Sequence, residues 1–236
     1  MADDGFVEPT TLYWQKLLAP DCDQRDASVY QYGYPVRLPD GHILTLPIRR
    51  SPDDSARAVA SLIPNHASFE VIDALAGFMA SLAADFRPDI VVGMPTLGLA
   101  LAPPVAQRLG HGNFAPLGYS RKYWYDNTLS EPVSSITSPD DAKTVYLDPN
   151  LVPRLRGRRV LVVDDTISTG TTATAVLRLL ERAGANAVGL VFAMSQGNAW
   201  KMSLAPAWRD KVRFVFQSPQ FQLSPGGWVI DTASLS

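Results

Sequence analysis

Residues 160–172, Val-Leu-Val-Val-Asp-Asp-Thr-Ile-Ser-Thr-Gly-Thr-Thr, restrict the folds open to this chain more than any other stretch. Four consecutive apolar residues, 160–163, read as a strand buried on both faces, which requires structure packed above and below it. Asp164 and Asp165 stand at its carboxyl end, and Ser168, Thr169, Gly170, Thr171 and Thr172 follow. Ala173, Val176, Leu177 and Leu180 then recur at helical spacing until Gly184. A turn of small hydroxylic residues can wrap its N–H groups around a phosphate at the positive end of a helix. The adjacent carboxylates are placed for the hydroxyls of the same ligand. A strand–turn–helix connection with an acidic cap would use fewer such residues, so the stretch reads as a site for a phosphorylated ribose.

The flanking sequence repeats the strand–helix alternation. Val71, Ile72, Leu75, Phe78, Met79, Leu82 and Phe86 mark a helix from Ser68 that ends at Arg87-Pro88. Residues 89–93 read as a short buried strand and Met94-Pro95-Thr96-Leu97-Gly98 as the loop after it. A helix then runs to Leu109, with Pro103 and Pro104 in its first turn and Gly110 as its stop. Further strands are expected at 114–117, 144–147, 187–193 and 212–216. Alternation of this kind implies a parallel sheet covered on both faces, with ligands beyond the carboxyl ends of its strands. Residues 93–98 and 164–172 both fall there.

The N-terminal part follows other rules. Residues 1–27 are polar and acidic except Leu12-Tyr13-Trp14 and Leu17-Leu18, which fit a short docking helix. Two β-prone runs around Asp40-Gly41 predict a hairpin, with Pro35 and Pro47 pushing its strands towards an edge. Residues 51–67 read as a connector, and 119–142 as a long polar loop without periodicity. The segment 214–230 leaves the alternation and is expected, with the hairpin, to cap the site. The resulting division is an extension at 1–27, a hood hairpin and connector at 28–67, a core at 68–211, and a C-terminal strand and hood at 212–236.

Composition excludes several classes. A hydrophobic content of 46% supports a large core, and 19% charged residues is too few for a disordered chain. The net charge of -2 gives no general polyanion-binding surface, so no nucleic-acid partner is expected. The single cysteine, Cys22, precludes an intramolecular disulfide framework. No secretory signal or membrane-spanning run is read, so a soluble cytoplasmic protein is expected. His42, His66 and His111 lack metal-ligand spacing and read as structural.

The stretch at 160–172 resembles the phosphoribosyl diphosphate (PRPP) signature of the type I phosphoribosyltransferases, most like the adenine/xanthine branch. That resemblance implies an α/β fold, a parallel sheet flanked by helices with a small β-rich hood. It implies Mg²⁺-dependent transfer of phosphoribosyl from PRPP to a nucleobase, by expectation a purine, giving a nucleoside 5′-monophosphate and pyrophosphate. Thr166, Ser168, Thr169, Gly170, Thr171 and Thr172 are then assigned to the 5′-phosphate. Asp164 and Asp165 go to the ribose hydroxyls, directly or through magnesium-bound water. Thr96, Leu97 and Gly98 resemble the family's pyrophosphate loop, although many relatives carry a polar or basic residue where Leu97 stands. Tyr119-Ser120-Arg121-Lys122 resembles the start of the mobile lid, and its Arg121 and Lys122 would bring positive charge to the pyrophosphate.

Residues 134–138, Ser-Ser-Ile-Thr-Ser, lack the glutamate that adenine-specific relatives tend to carry, with Asp140 and Asp141 just beyond; the wording is nearer the xanthine type. Tyr30, Tyr32, Tyr34, Phe216, Phe221 and Trp228 are candidate stacking surfaces for the base, and backbone near Pro47-Ile48-Arg49 could read its edge, although aromatic residues at strand spacing are more often core. Relatives commonly work as homodimers. Two rivals stand beside the enzyme: a non-catalytic PRPP- or nucleotide-sensing regulator on the same fold, and a transferase using another nitrogen nucleophile such as orotate.

Overall fold

The computed structural model describes residues 11–22, 28–135 and 138–235, and the side chains of residues 134–142 lie outside that description. The described chain opens with β1 (Gly33–Arg37), β2 (Ile43–Arg50) and β3 (Arg57–Ala60). It continues through α1 (Phe69–Ala83), β4 (Ile90–Gly93), α2 (Ala102–Arg108) and β5 (Ala115–Pro116). A hairpin, β6 (Ser130–Ser135) with β7 (Ser138–Tyr146), and a short helix, α3 (Val152–Leu155), come next. Then follow β8 (Arg159–Ile167), α4 (Thr171–Arg182), β9 (Asn186–Gln196), α5 (Trp200–Ser203), α6 (Pro206–Arg209) and β10 (Val212–Ser218). The last strands are β11 (Gln220–Ser224) and β12 (Gly227–Asp231).

One sheet runs β10-β9-β8-β4-β5, with every pairing parallel. β8 lies at its centre, which explains the uninterrupted apolar run. Leu161 and Val163 pack with α1 and α2 on one face, while Val160 and Val162 pack with α4 on the other. Burying each such side chain contributes about 1.5–3 kcal/mol. From β4 the chain moves outward to β5, and from β8 it moves the other way to β9 and β10. The direction of winding reverses between β4 and β8, so the crevice beyond their carboxyl ends is where an open sheet of this kind takes a ligand.

A second sheet, β1-β2-β3-β11-β12, is antiparallel and forms the hood. Its aromatic interior joins the core of the parallel sheet: Tyr30, Phe221 and Trp228 pack in the same cluster as Val163 and Val191. The fold is therefore the expected parallel sheet flanked by helices with a β-rich hood.

Several local expectations change. The segment at 12–18 is not helical; a turn leads to Trp14 at φ 60, and Leu18 bridges Ile43. It docks nonetheless, because Trp14 is 2% exposed and its indole N–H donates to the Ser61 carbonyl at 3.2 Å. The connector at 51–67 contains β3, too short to show alternation. Pro35 lies on the edge strand β1 as expected, but Pro47 lies on β2, an inner strand. Its missing N–H is tolerated because β3 meets β2 only from Ile48 to Arg50. The polar loop at 119–142 includes β6 and the start of β7. Residues 214–218 do not belong to the hood, since β10 is the outer strand of the parallel sheet. The Ser-Ile-Thr-Ser wording, with Asp140 and Asp141, and the extension at 1–10 and 23–27 lie outside the described residues or side chains.

Candidate active site

β8 does not stop at Val163: the strand carries Asp164 and Asp165 to Ile167 and buries both, at 7% and 8% exposure. The Asp165 N–H donates to Asp164 Oδ1 at 2.9 Å, the Gly98 N–H donates to the same carboxylate, and Thr166 Oγ1 donates to Asp165 Oδ2 at 2.9 Å. Burial, then the neighbouring Asp165 charge, holds the Asp164 carboxyl well above the usual carboxylate range. Burial also raises Asp165, against the hydrogen bonds that lower it. Two adjacent buried carboxylates disfavour each other's charge and so favour any cation or hydroxyl donor that reaches them.

The turn after β8 wraps a cavity of about 50 Å³ lined by Met94, Asp164, Phe192 and residues 166–173. That exceeds the roughly 10–15 Å³ a single water needs and suits a small tetrahedral anion. Thr166, Ser168, Thr169, Gly170, Thr171 and Thr172 all border it. Gly170 is the N-cap of α4 at φ 78, and a Cβ there would meet Trp200 Cβ at 3.2 Å and its carbonyl at 3.3 Å. The left-handed conformation and this close approach both select glycine. Trp200 is itself anchored: its indole N–H donates to Ser195 Oγ at 3.0 Å, and Ser195 Oγ donates to the Gly197 carbonyl at 2.9 Å. Thr169 and Thr171 share a hydroxyl–hydroxyl bond of 3.0 Å.

The loop at 94–98 stands directly beside the acids. The Met94 N–H bonds the Val163 carbonyl at 2.9 Å, extending the β4–β8 ladder. A Cβ on Gly98 would lie 2.5 Å from Asp164 Oδ1 and 2.8 Å from Asp164 Cα, so only glycine fits. Thr96 is exposed and Leu97 half-buried. The peptide between Pro95 and Thr96 is cis. Gly98, the acid pair and the hydroxylic turn thus meet at one end of the sheet, with Thr96 and Leu97 on the same loop as Gly98.

Arg121 and Lys122 are exposed, and their side chains form no ion pair with the described residues. Tyr119, two residues earlier, is in the site: its side chain is hydrogen-bonded to Thr172, and burial followed by the Asp164 charge raises its hydroxyl's pKa. Tyr119, which the sequence marks only as the start of the lid, and Trp200 with Ser195, which no sequence pattern marks, join the site through packing. Of the aromatic candidates, Tyr30, Phe216, Phe221 and Trp228 are buried core. Tyr34 packs edge-on against Phe221 at 5.2 Å, and Tyr32 is half-buried. Arg49 and Ile48 hold the β2–β3 ladder. A cavity of about 610 Å³ between α4 and residues 202–209 contains none of the predicted site residues. Its size reflects a surface groove, and the small cavity at the strand ends is where polar groups converge.

Among the described residues no cluster of three or more acidic, histidine or cysteine side chains could hold a metal by itself. The acid pair nevertheless fits magnesium, which is commonly held by one or two carboxylates together with substrate phosphates and water. No described helix is long and apolar enough to cross a membrane.

Known proteins share this fold. The chain is 34% identical over 170 residues to adenine phosphoribosyltransferase of Acidothermus cellulolyticus, covering 70% of this chain and 88% of that protein. It is 39% identical over 109 residues to the enzyme of the same name from Thermobifida fusca, where the match spans 46% of this chain and 58% of the relative. Among solved structures, adenine phosphoribosyltransferase from Rhodothermus marinus superposes with a TM-score of 0.55 at 23% identity, covering 79% of this chain and 94% of that one. The Giardia lamblia enzyme complexed with 9-deazaadenine gives 0.54 at 18%, over 78% and 93% of the two chains; at these identities the likeness concerns the fold. None of these relatives bears the name of a regulator. The phosphoribosyl transferase domain matches residues 59–220, and the chain belongs to that family of enzymes.

Proposed function

We propose that this enzyme transfers phosphoribosyl from PRPP to a purine base, adenine first among them, and releases pyrophosphate and a nucleoside 5′-monophosphate. The observation that carries the reading is the crevice between β4 and β8, where a buried acid pair, a phosphate-sized turn and a glycine loop converge. The names of the relatives support the purine class and adenine in particular.

In this reading the 5′-phosphate lies in the turn formed by Thr166, Ser168, Thr169, Gly170, Thr171 and Thr172. Asp164 and Asp165 accept the ribose hydroxyls, and their charge favours the sugar as positive charge develops at C1. The N–H groups of Thr96, Leu97 and Gly98 face the pyrophosphate, and Arg121 and Lys122 approach it when the donor is bound. Magnesium, when bound, supplies positive charge to the pyrophosphate and sugar oxygens. The chain's own part is to orient donor and base and to keep water from the reactive carbon; most acceleration comes from positioning and fixed charge. A homodimer in the cytoplasm completes the reading.

The test is pyrophosphate release from PRPP with adenine, hypoxanthine, guanine and xanthine offered separately. Turnover with a purine is expected. Asp164→Asn combined with Asp165→Asn should lower kcat by about 10²-fold or more while the fold persists. Near-normal turnover in the double variant would remove these carboxylates from the mechanism. PRPP binding without turnover of any base would favour a sensor instead.

A further inference from the structure

The carboxyl ends of the strands are not the only place where charge gathers. Residues 154–159, Arg-Leu-Arg-Gly-Arg-Arg, put four arginines at the entry to β8 in a chain of net charge -2. Arg87 lies beside them, since its carbonyl accepts from Arg159 Nε at 3.1 Å. Among the described residues none of these five arginines is in an ion pair. Cations crowded in this way repel one another, and a bound anion relieves the repulsion.

Two of them, Arg154 and Arg158, line a cavity of about 590 Å³ at the amino ends of β4 and β8, together with His111, Asn113 and the apolar Pro88 and Ile90. That volume suits a small molecule of nucleotide size. From Arg159 to Asp164 the strand advances about 3.3 Å per residue, so the cavity lies roughly 16 Å from the acid pair, at the opposite end of the sheet. Asp89 is the one described acid in its wall, and Asp89 Oδ2 already accepts the Arg159 N–H at 2.8 Å. Arg154 is steadied by donating to the Phe114 carbonyl at 3.4 Å, whereas the Arg158 side chain has no hydrogen bond or ion pair among the described residues. His111 Nε2 is buried and lacks a hydrogen-bond partner among the described residues. A native fold that leaves such an atom unpaired commonly completes it with an ion or a water.

We propose that this cavity is a second anion site, separate from the crevice at the carboxyl ends, and that it takes a compound carrying a di- or triphosphate. The planar fork of each guanidinium matches two phosphate oxygens, and linked phosphates satisfy Arg154 and Arg158 at once. Nucleoside diphosphates and inorganic polyphosphate share this chemistry. The test is an NMR titration with ADP, inorganic tripolyphosphate and adenosine, following the arginine Nε–H signals and the amides of residues 111–113 and 154–158. These signals should shift with ADP and with tripolyphosphate but not with adenosine. Tighter binding of ADP would identify a nucleotide as the occupant, and tighter binding of tripolyphosphate an inorganic polyphosphate; both support the site. Arg158→Ala should weaken the binding read from these signals by about tenfold, the loss of one charge-assisted hydrogen bond. Arg158→Lys, which keeps the charge and loses the fork, should fall between. Because the Arg158 side chain holds no other described group, the melting curve of Arg158→Ala should match that of the wild type. Equal affinity in the wild type and Arg158→Ala would overturn the assignment, as would shifts confined to residues 164–172 or equal shifts with adenosine. The assignment is independent of phosphoribosyl transfer, so the failure of either leaves the other standing.

Discussion

Asp164 is a side chain buried at a cost to stability. Its carboxyl prefers the proton in the folded protein because burial and Asp165 both oppose its charge. A group whose folded pKa is raised binds more protons when folded, so stability falls as pH rises from the unfolded value, about 3.9, through the folded one. Asp164→Asn removes this penalty and keeps an oxygen for the Gly98 and Asp165 N–H groups. Its Tm should exceed the wild type's at pH 8, by about 2–4 °C for each kcal/mol relieved in a chain of this size. The difference should vanish below about pH 3, where the carboxyl is protonated in both states. A Tm difference independent of pH would mean that charge is not the origin. Gly98 belongs to the same arrangement, since its missing side chain is what lets an N–H reach the buried acid.

At the scale of elements, α4 serves two clients. Its first turn closes the cavity beside Asp164, and its last turn carries Arg182, which holds Glu131 on β6. Arg178, one turn earlier, adds a second contact to Glu131 at 3.6 Å. Glu131 is nearly buried while Arg182 stays partly exposed, so truncating the acid removes the tie between α4 and the hairpin without burying an unpaired charge. Glu131→Ala should therefore loosen β6 selectively: amide hydrogen exchange in residues 130–133 should quicken at least tenfold while the protection of β8 stays as it was. Uniform acceleration across both strands would show that the clamp supports the whole domain rather than the hairpin. The hairpin was not legible in the sequence. Residues 119–142 are mostly polar in sequence and carry no apolar alternation by which a strand is recognised.

For the whole molecule, hood and parallel sheet share one hydrophobic cluster, which joins Phe221 and Trp228 to Val163 and Val191. Neither sheet has a separate core on that side, so the two should unfold together. Phe221→Ala, at a fully buried position, should destabilise by about 3–5 kcal/mol. Near- and far-ultraviolet circular dichroism should still melt in coincident transitions; a separate early transition would mean that the hood folds alone. The shared core also explains why the aromatic residues of the hood are not free platforms for a base. Tyr30, Phe221 and Trp228 are spent on joining the two sheets.

Local chemistry in the chain was sufficient for the central strand, its acid pair, the hydroxylic turn and the helix beyond, because each rests on residues adjacent in sequence. Four apolar residues in a row require two covered faces, and glycine among hydroxylic residues requires a tight turn. The hood hairpin around Asp40-Gly41 was legible for the same reason. What only the tertiary structure decided is the company these elements keep. β4 and β8, about seventy residues apart in the chain, become neighbours by strand order, and that adjacency brings Gly98 to Asp164. Trp200 behind Gly170, Tyr119 beside Thr172 and Lys143 above Tyr119 follow from packing in the same way. Side-chain patterns report which surfaces must be buried, whereas the choice of partner for each surface depends on the closing of long loops, which no local window of sequence records.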